Sequence, residues 1–258
     1  MTYAGFQYPS DGLSIYGRMS VPDGAGPYPV IIAIHGLSPR NEFSDPNYSL
    51  DEFDGLVRDG YIVIHPNLRN YPPSNDGDNL YRVGMSIDIL NLIEIIKSQA
   101  GQTGLLEKAD ASRLGLWAHS MGGEIALRVL TISPDIDAAL LYAPLGGDTL
   151  ENSLILYGLD PQPPFREEVE IPQLLLTSIA PMYHYNHISA AMRLFHGEDD
   201  VIVPVSVSET TCDLLEDMAR NIECTFVPGQ GHTFRSSYSA TFNAEMLSFY
   251  ETYLKNAQ

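Results

Sequence analysis

Residues Arg113 to Leu127 read RLGLWAHSMGGEIAL, an apolar run that changes into a helical pattern at Ser120. The apolar part, Leu114 to Ala118, is typical of a buried strand, and a helix follows it directly. Gly122 and Gly123 stand where the backbone of such a helix crosses back over the strand, a place that needs small residues. A turn of this kind exposes the serine oxygen at its tip instead of burying it in the core. The stretch therefore predicts a serine placed for nucleophilic attack.

Strand and helix patterns alternate on both sides of this stretch, after an N-terminal hairpin with its turn at residues 10–12. The predicted strands are residues 29–34, 61–64, 114–118, 138–143, 191–196 and 222–227. The predicted helices are residues 50–58, 80–99, 206–220 and 238–254, besides the one that follows Ser120. Strands that are apolar on both faces suit a buried parallel sheet. The pattern predicts an α/β fold with a mostly parallel sheet and helices on both faces.

The domain organisation follows from length and from one interruption of this alternation. A chain of 258 residues with 44% apolar composition is long enough for one sizeable core. Between about residues 144 and 190 the alternation stops, and the segment is too long for an ordinary connection of roughly 4–6 residues. We predict a single domain, 1–258, with a small helical insertion, or cap, over that segment.

Charge and hydropathy limit the expected partners. The formal net charge is −19, from 33 acidic and 14 basic residues, and such a surface repels nucleic acid and anionic membranes. No stretch approaches the roughly 20 apolar residues that span a bilayer. We therefore expect no nucleic acid partner and no membrane span, and either a monomer or a homodimer.

The N-terminus and the cysteines bear on localisation. Residues 1–20 lack the basic start and apolar run of a signal peptide, so the cytoplasm is the default expectation. Cys212 and Cys224 are too few for a disulfide framework or a cysteine zinc site. We expect two free thiols in a reducing compartment.

A serine hydroxyl is a weak nucleophile and needs a nearby base. In a parallel α/β sheet, active residues collect at the carboxyl ends of the strands. Three loops at that edge carry candidate partners: His35-Gly36-Leu37, the run HGEDDVIVP over 196–204, and Gly231-His232. The chain order is therefore serine, aspartate, histidine, which is the order of the α/β-hydrolases.

These motifs resemble the serine hydrolases of the α/β-hydrolase superfamily, in the prolyl oligopeptidase and dienelactone hydrolase-like branch. The resemblance implies that Ser120 is the nucleophile and His232 the base. It implies Asp200 as the orienting carboxylate, because the aspartate is the fifth residue of the family's His-Gly-x-x-Asp-x-x-Val-Pro pattern, with Asp199 as the competitor. The expected oxyanion donors are the N–H groups of Leu37 and Met121.

The sequence departs from the family pattern in three places. Ala118 stands two residues before the serine, where glycine is usual. Its methyl group is small enough to be tolerated but is expected to crowd the turn. The run Asn67 to Tyr71 matches the family's Asp-x-Arg-Gly-x-Gly loop only in Arg69. The cysteine nucleophile of true dienelactone hydrolases is absent, because Ser120 holds that position.

Substrate contacts are the least specified part of the site. The pocket is expected to form from the insertion and from the loop over residues 38–47. The candidate pocket residues are aromatic and lie in the insertion: Tyr157, Phe165, Tyr183 and Tyr185. Plain packing of these rings on the sheet is the equal alternative.

Three functions fit these residues. The first is a cofactor-free carboxylesterase that cleaves small acyl esters through an acyl-enzyme. The second is a small peptidase or amidase with the same site, and the third a ligand-binding member of the fold without turnover. We expect no metal, because His184 and His187 have no third ligand at a suitable spacing.

Overall fold

A computed structural model describes residues 1–39, 50–171 and 176–256, with the exception of the side chains of residues 50–52 and 236. Eight strands form one sheet: β1 (Thr2–Ser10), β2 (Leu13–Val21), β3 (Tyr28–Ile34), β4 (Ile62–Pro66), β5 (Ala109–His119), β6 (Ala138–Tyr142), β7 (Ala191–Gly197) and β8 (Ile222–Val227). Their order is β1-β2-β4-β3-β5-β6-β7-β8. The pairs β1–β2 and β2–β4 are antiparallel, and all the others are parallel.

The helices pack on both faces of this sheet. They are α1 (Leu50–Arg58), α2 (Val83–Gln99), α3 (Met121–Ile132), α4 (Thr149–Leu159), α5 (Phe165–Glu170), α6 (Val205–Asp217) and α7 (Ser236–Tyr250). Apolar side chains of α2, α3 and α6 form one core with one face of the sheet, and those of α1 and α7 form a second core with the other face. The predicted fold class is therefore confirmed.

The predicted elements agree with the structure in position and type, and the strand at 222–227 and the helix at 50–58 have the predicted bounds. The N-terminal hairpin is also confirmed, with Asp11 and Gly12 at positive φ in its turn. The helix expected from residue 80 begins at Val83 instead. Tyr81 and Arg82 before it adopt left-handed φ angles of 55° and 58°, which interrupts the helix.

The prediction of free thiols is wrong, because Cys212 in α6 and Cys224 in β8 form a disulfide. Their Cα atoms lie 6.5 Å apart, within the range that a disulfide spans. A count of two cysteines carries no information about this separation, which arises only when α6 packs beside β8.

The interruption over about 144–190 contains α4, α5 and a 3₁₀ helix at Pro181–His187. Residues 172–175 within it lie outside the described residues. That this segment is a cap on a single domain stays a prediction. Within the described part of the chain, no helix combines the length and hydropathy needed to cross a membrane.

Candidate active site

Ser120 lies on a tight turn between β5 and α3. Its backbone has φ 55° and ψ −121°, a strained conformation for a residue other than glycine. The N–H of Gly123 donates to the Ser120 carbonyl at 2.8 Å, so the helix starts without a loop. A methyl group added at Gly122 would collide with the Ile34 carbonyl oxygen of β3. The glycine there is required because the helix backbone crosses directly over the strand.

Ala118 lies near the end of β5, two residues before the serine. Its side chain is fully buried in the core below α3, and its backbone keeps register with Ile34 and Leu141 on the neighbouring strands. The close contacts of the turn fall on the two glycines after the serine, since an added methyl at Gly123 would overlap Pro144. That the Ala118 methyl group crowds the turn stays a prediction.

The structure brings Ser120, His232 and Asp200 into one hydrogen-bonded line. His232 Nε2 lies 2.9 Å from Ser120 Oγ, and His232 Nδ1 lies 2.7 Å from Asp200 Oδ2. The carboxylate can only accept, so Nδ1 carries the proton and Nε2 is free to accept from the serine hydroxyl. This is the tautomer that a base acting on Ser120 requires.

Asp200 is the better placed of the two adjacent carboxylates. Its Oδ1 accepts from the N–H groups of Ile202 and Val203, at 2.8 and 3.0 Å. Burial alone would raise the pKa of this carboxyl, but hydrogen bonds from His196 and His232 and the charge of His232 outweigh it and hold the pKa well below its usual range. Asp199 is exposed instead.

His196 is a second partner of Asp200. Its Nε2 lies 3.0 Å from both Asp200 Oδ2 and the Val203 carbonyl, two acceptors, so this nitrogen is the donor. Its Nδ1 is 2.6 Å from Ser208 Oγ, and both side chains are completely buried. The signal that could have found this role is its position at the end of β7, four residues before Asp200.

His119, the residue before the serine, contacts the loop of His232. Its Nε2 donates to the His232 carbonyl at 3.1 Å, and the two rings lie 4.8 Å apart. Burial, together with the nearby His232, lowers the pKa of His119 to about 3. The ring is therefore neutral at ordinary pH, and it ties the serine turn to the loop that carries the base.

The two predicted oxyanion donors lie beside the serine. Met121 is the first residue of α3, where backbone N–H groups have no acceptor within the helix. Leu37 follows β3 and lines the same cleft as Ser120 and His232. Their role as donors stays a prediction.

The cleft over Ser120 has a volume of about 350 Å³. Its described lining is dominated by aliphatic side chains: Leu37, Leu145, Ile155, Leu156, Leu159, Ile202 and Val203. His119, Ser120, His232 and Thr233 complete it. The loop over 38–47, which was expected to contribute, falls outside the described residues from residue 40 onward.

The four aromatic residues predicted for the pocket are not part of this described lining. Phe165 and Tyr185 are buried in the core, and Tyr157 and Tyr183 are exposed. On α4, Ile155 and Leu159 are four residues apart and share a face, whereas Tyr157 between them points away. The pocket prediction is therefore corrected from these aromatic rings to the aliphatic face of α4.

Among the residues that the structure describes, no three His, Cys, Asp or Glu side chains come together in a way that could hold a metal ion. His184 and His187 have ring centroids 6.4 Å apart, and His184 Nε2 lies 3.3 Å from the Ser178 carbonyl.

The sheet order and the serine turn define an α/β-hydrolase. The sequence profile of the prolyl oligopeptidase family, peptidase family S9, matches residues 104–257, and the chain belongs to this family. The chlorophyllase profile matches residues 14–149.

Two curated relatives are similar over about half of the chain. Esterase EstD of Thermotoga maritima is 27% identical over 132 residues, which are 50% of this chain and 30% of that protein. Chlorophyllase type 0 of Chenopodium album is 28% identical over 152 residues, or 55% of this chain and 42% of that protein. The matched region is thus less than half the length of either relative.

Solved structures share the fold at low sequence identity. The uncomplexed acylaminoacyl peptidase of Pyrococcus horikoshii superposes with a TM-score of 0.80 at 22% identity, over 98% of this chain and 42% of that one. The Pyrococcus furiosus esterase PF2001 superposes with a TM-score of 0.71 at 16% identity, over 98% of this chain and 92% of that one. The first match spans less than half of a larger protein, the second nearly a whole one.

Proposed function

We propose that this protein is a serine carboxylester hydrolase that cleaves small, neutral acyl esters through an acyl-enzyme on Ser120. The observation that carries the proposal is the line of hydrogen bonds from Ser120 through His232 to Asp200, at 2.9 and 2.7 Å. The relative named as an esterase supports an ester as the bond that is cleaved.

The chemistry follows from the positions of the protons. Ser120 Oγ attacks the acyl carbon while its proton passes to His232 Nε2, and the oxyanion forms at the start of α3 near the Met121 and Leu37 N–H groups. His232 then returns the proton to the departing alkoxide, and the alcohol leaves. A water molecule repeats the sequence on the acyl-enzyme and releases the acid. Asp200 stabilises the imidazolium that forms in each half-reaction.

Hydrolysis of p-nitrophenyl acetate tests this proposal. We expect a burst of p-nitrophenol equal to the enzyme concentration if deacylation is the slower step, and steady turnover in either case. Ser120→Ala and His232→Ala should each lower kcat by about 10⁴-fold or more with the fold intact. The control is His187→Ala, which changes an exposed residue of the 3₁₀ helix and should leave the rates at their wild-type values. Ser120→Ala at wild-type rate would refute the proposal.

A second candidate, a small peptidase or amidase, is favoured by membership of the prolyl oligopeptidase family and by the fold shared with acylaminoacyl peptidase. An amine leaving group needs protonation by His232, and the same residues serve both bonds. Matched p-nitrophenyl esters and p-nitroanilides of the same acyl group separate the two. Turnover of the ester without turnover of the anilide would exclude the second candidate. A binding protein without turnover would show neither.

A further inference from the structure

Helix α4 has two faces with different chemistry. One face presents Ile155 and Leu159 to the cleft over Ser120. Another face presents Thr149 and Ser153, both completely buried, to a cluster of buried charges. The helix therefore connects the cleft with a group of ion pairs whose charged side chains are not part of the described cleft lining.

Arg82 stands at the centre of these charges, and its side chain is 1% exposed. Its Nε donates to Glu124 at 2.7 Å and its Nη1 to Glu168 at 2.6 Å. Its Nη2 donates to Ser153 Oγ at 3.2 Å. Three elements meet at this guanidinium, since Glu124 belongs to α3, Glu168 to α5 and Ser153 to α4.

The remaining bonds of the cluster satisfy both carboxylates. Glu124 Oε1 accepts from Thr149 Oγ1 at 3.1 Å and from Arg128 at 2.8 Å. Glu168 accepts from Ser153 Oγ at 2.8 Å and from the Tyr81 N–H at 2.6 Å. Both carboxylates are completely buried, so each of these bonds replaces a lost contact with water.

The backbone at Arg82 is held in an unusual conformation. Tyr81 and Arg82 have consecutive left-handed φ angles, which are costly for residues with a Cβ. Such angles persist where the surroundings impose them, and here they turn the Arg82 side chain in among the carboxylates.

From these contacts we infer that Ile155 and Leu159 of α4 form the wall of the cleft that selects aliphatic acyl chains. We further infer that Arg82, Glu124 and Glu168, the Arg82 cluster, hold this wall against α3, the helix that follows Ser120. Glu124 lies one helical turn after Ser120 on α3, so the cluster sets the spacing between Ser120 and Leu159. The inference rests on the proposed esterase function.

The wall is tested with p-nitrophenyl esters of two, four, six and eight carbons. Leu159 lines the cleft although its side chain is 46% exposed, so Leu159→Ala widens the cleft on its open side. We expect the octanoyl-to-acetyl ratio of kcat/KM to rise about tenfold, which is the lower end of the change that one methylene in an apolar pocket makes. Leu159→Phe narrows the cleft and should lower that ratio. The matched control is Leu154→Ala, which removes an exposed leucine of the same helix outside the described lining.

If Leu159→Ala and Leu159→Phe both leave the octanoyl-to-acetyl ratio of kcat/KM unchanged, with normal turnover of the acetate, α4 does not select the acyl chain. Failure of the esterase proposal has a different result, since the wild-type protein would then show no turnover that depends on Ser120.

Glu168→Gln tests the positioning role. It keeps the size of the side chain but removes its charge beside Arg82. We expect KM for the octanoyl ester to change at least threefold, with kcat for the acetate within twofold of wild type. Glu167→Gln, the exposed neighbour, is the control and should change neither value.

If Glu168→Gln does not fold, Ser153→Ala is assayed instead, because it removes one hydrogen-bond donor from the same cluster. A folded variant with KM unchanged for every ester would overturn the positioning role.

Discussion

At the scale of single residues, Asp199 and Asp200 are adjacent but have opposite surroundings. Asp200 is buried and accepts from two histidines, while Asp199 is exposed. Asp200→Asn places an amide donor where His232 Nδ1–H needs an acceptor, which disfavours the productive tautomer. We expect kcat for p-nitrophenyl acetate to fall by about 10⁴-fold.

Asp199→Asn is the matched change, and its kcat should stay near that of the wild type. Equal losses in both variants, or a larger loss in Asp199→Asn, would contradict the assignment of Asp200.

Ala118 gives a second prediction at this scale. Its buried methyl group packs in the core below α3, so Ala118→Gly loses apolar contact and makes the unfolded strand more flexible. The free energy of unfolding should fall by about 1–2 kcal/mol, measured by urea denaturation. Turnover at saturating ester should not change. Faster turnover in Ala118→Gly would indicate that the methyl group does crowd the serine turn.

The roles of single residues could be predicted where chemistry requires a residue type at a strand end. Ser120 and His232 met that condition, and Asp200 was preferred over Asp199 only through the family pattern. The pocket could not be predicted, because the direction of Tyr157 depends on how α4 is rotated about its axis. That rotation is set by contacts with Glu124 and Arg82, distant in sequence.

Among the helices, we expect the buried Arg82 cluster to make the largest single contribution to holding α4 and α5 against α3. Arg82→Met leaves Glu124 and Glu168 buried without their shared cation. Breaking a buried pair in this way costs about 3–5 kcal/mol, so we expect a loss of that size in urea unfolding.

The control is the surface pair of Arg166 and Glu170, whose side chains are 65% and 66% exposed. Arg166→Met should change the unfolding free energy by no more than about 0.5 kcal/mol. Similar effects of Arg82→Met and Arg166→Met would show that the buried cluster does not hold the helices.

Most strands and helices could be predicted from periodicity, because apolar runs and helical spacing are local properties. The start of α2 could not be predicted in this way. Tyr81 and Arg82 adopt left-handed φ angles there, and both residues bond to carboxylates on other helices. The disulfide between Cys212 and Cys224 could not be predicted for a similar reason. Both features depend on contacts between elements that the local pattern does not contain.

At the scale of the whole molecule, buried histidines should make stability depend on pH. Burial lowers the pKa of His65 to about 3, and burial with the nearby His232 does the same for His119. In the unfolded chain both have a pKa near 6.5. Between about pH 6.5 and 3 the unfolded chain therefore binds protons that the folded protein does not, so stability falls as the pH falls.

Each histidine contributes about 1.4 kcal/mol per pH unit in that window. We expect urea unfolding to give a free energy about 3–4 kcal/mol lower at pH 5 than at pH 7. His65→Gln, which cannot take up a proton, should remove about half of this difference. Equal stability of the wild-type protein at pH 5 and pH 7 would contradict the buried, neutral state of these rings.

We propose that His232 and Asp200 together make Ser120 a reactive nucleophile. Labelling of the folded protein with a fluorophosphonate, followed by peptide mass mapping, tests it most directly. We expect one adduct, on Ser120, that forms far more slowly in His232→Ala. The absence of an adduct on Ser120 in the folded protein, or equal labelling in His232→Ala, would contradict it.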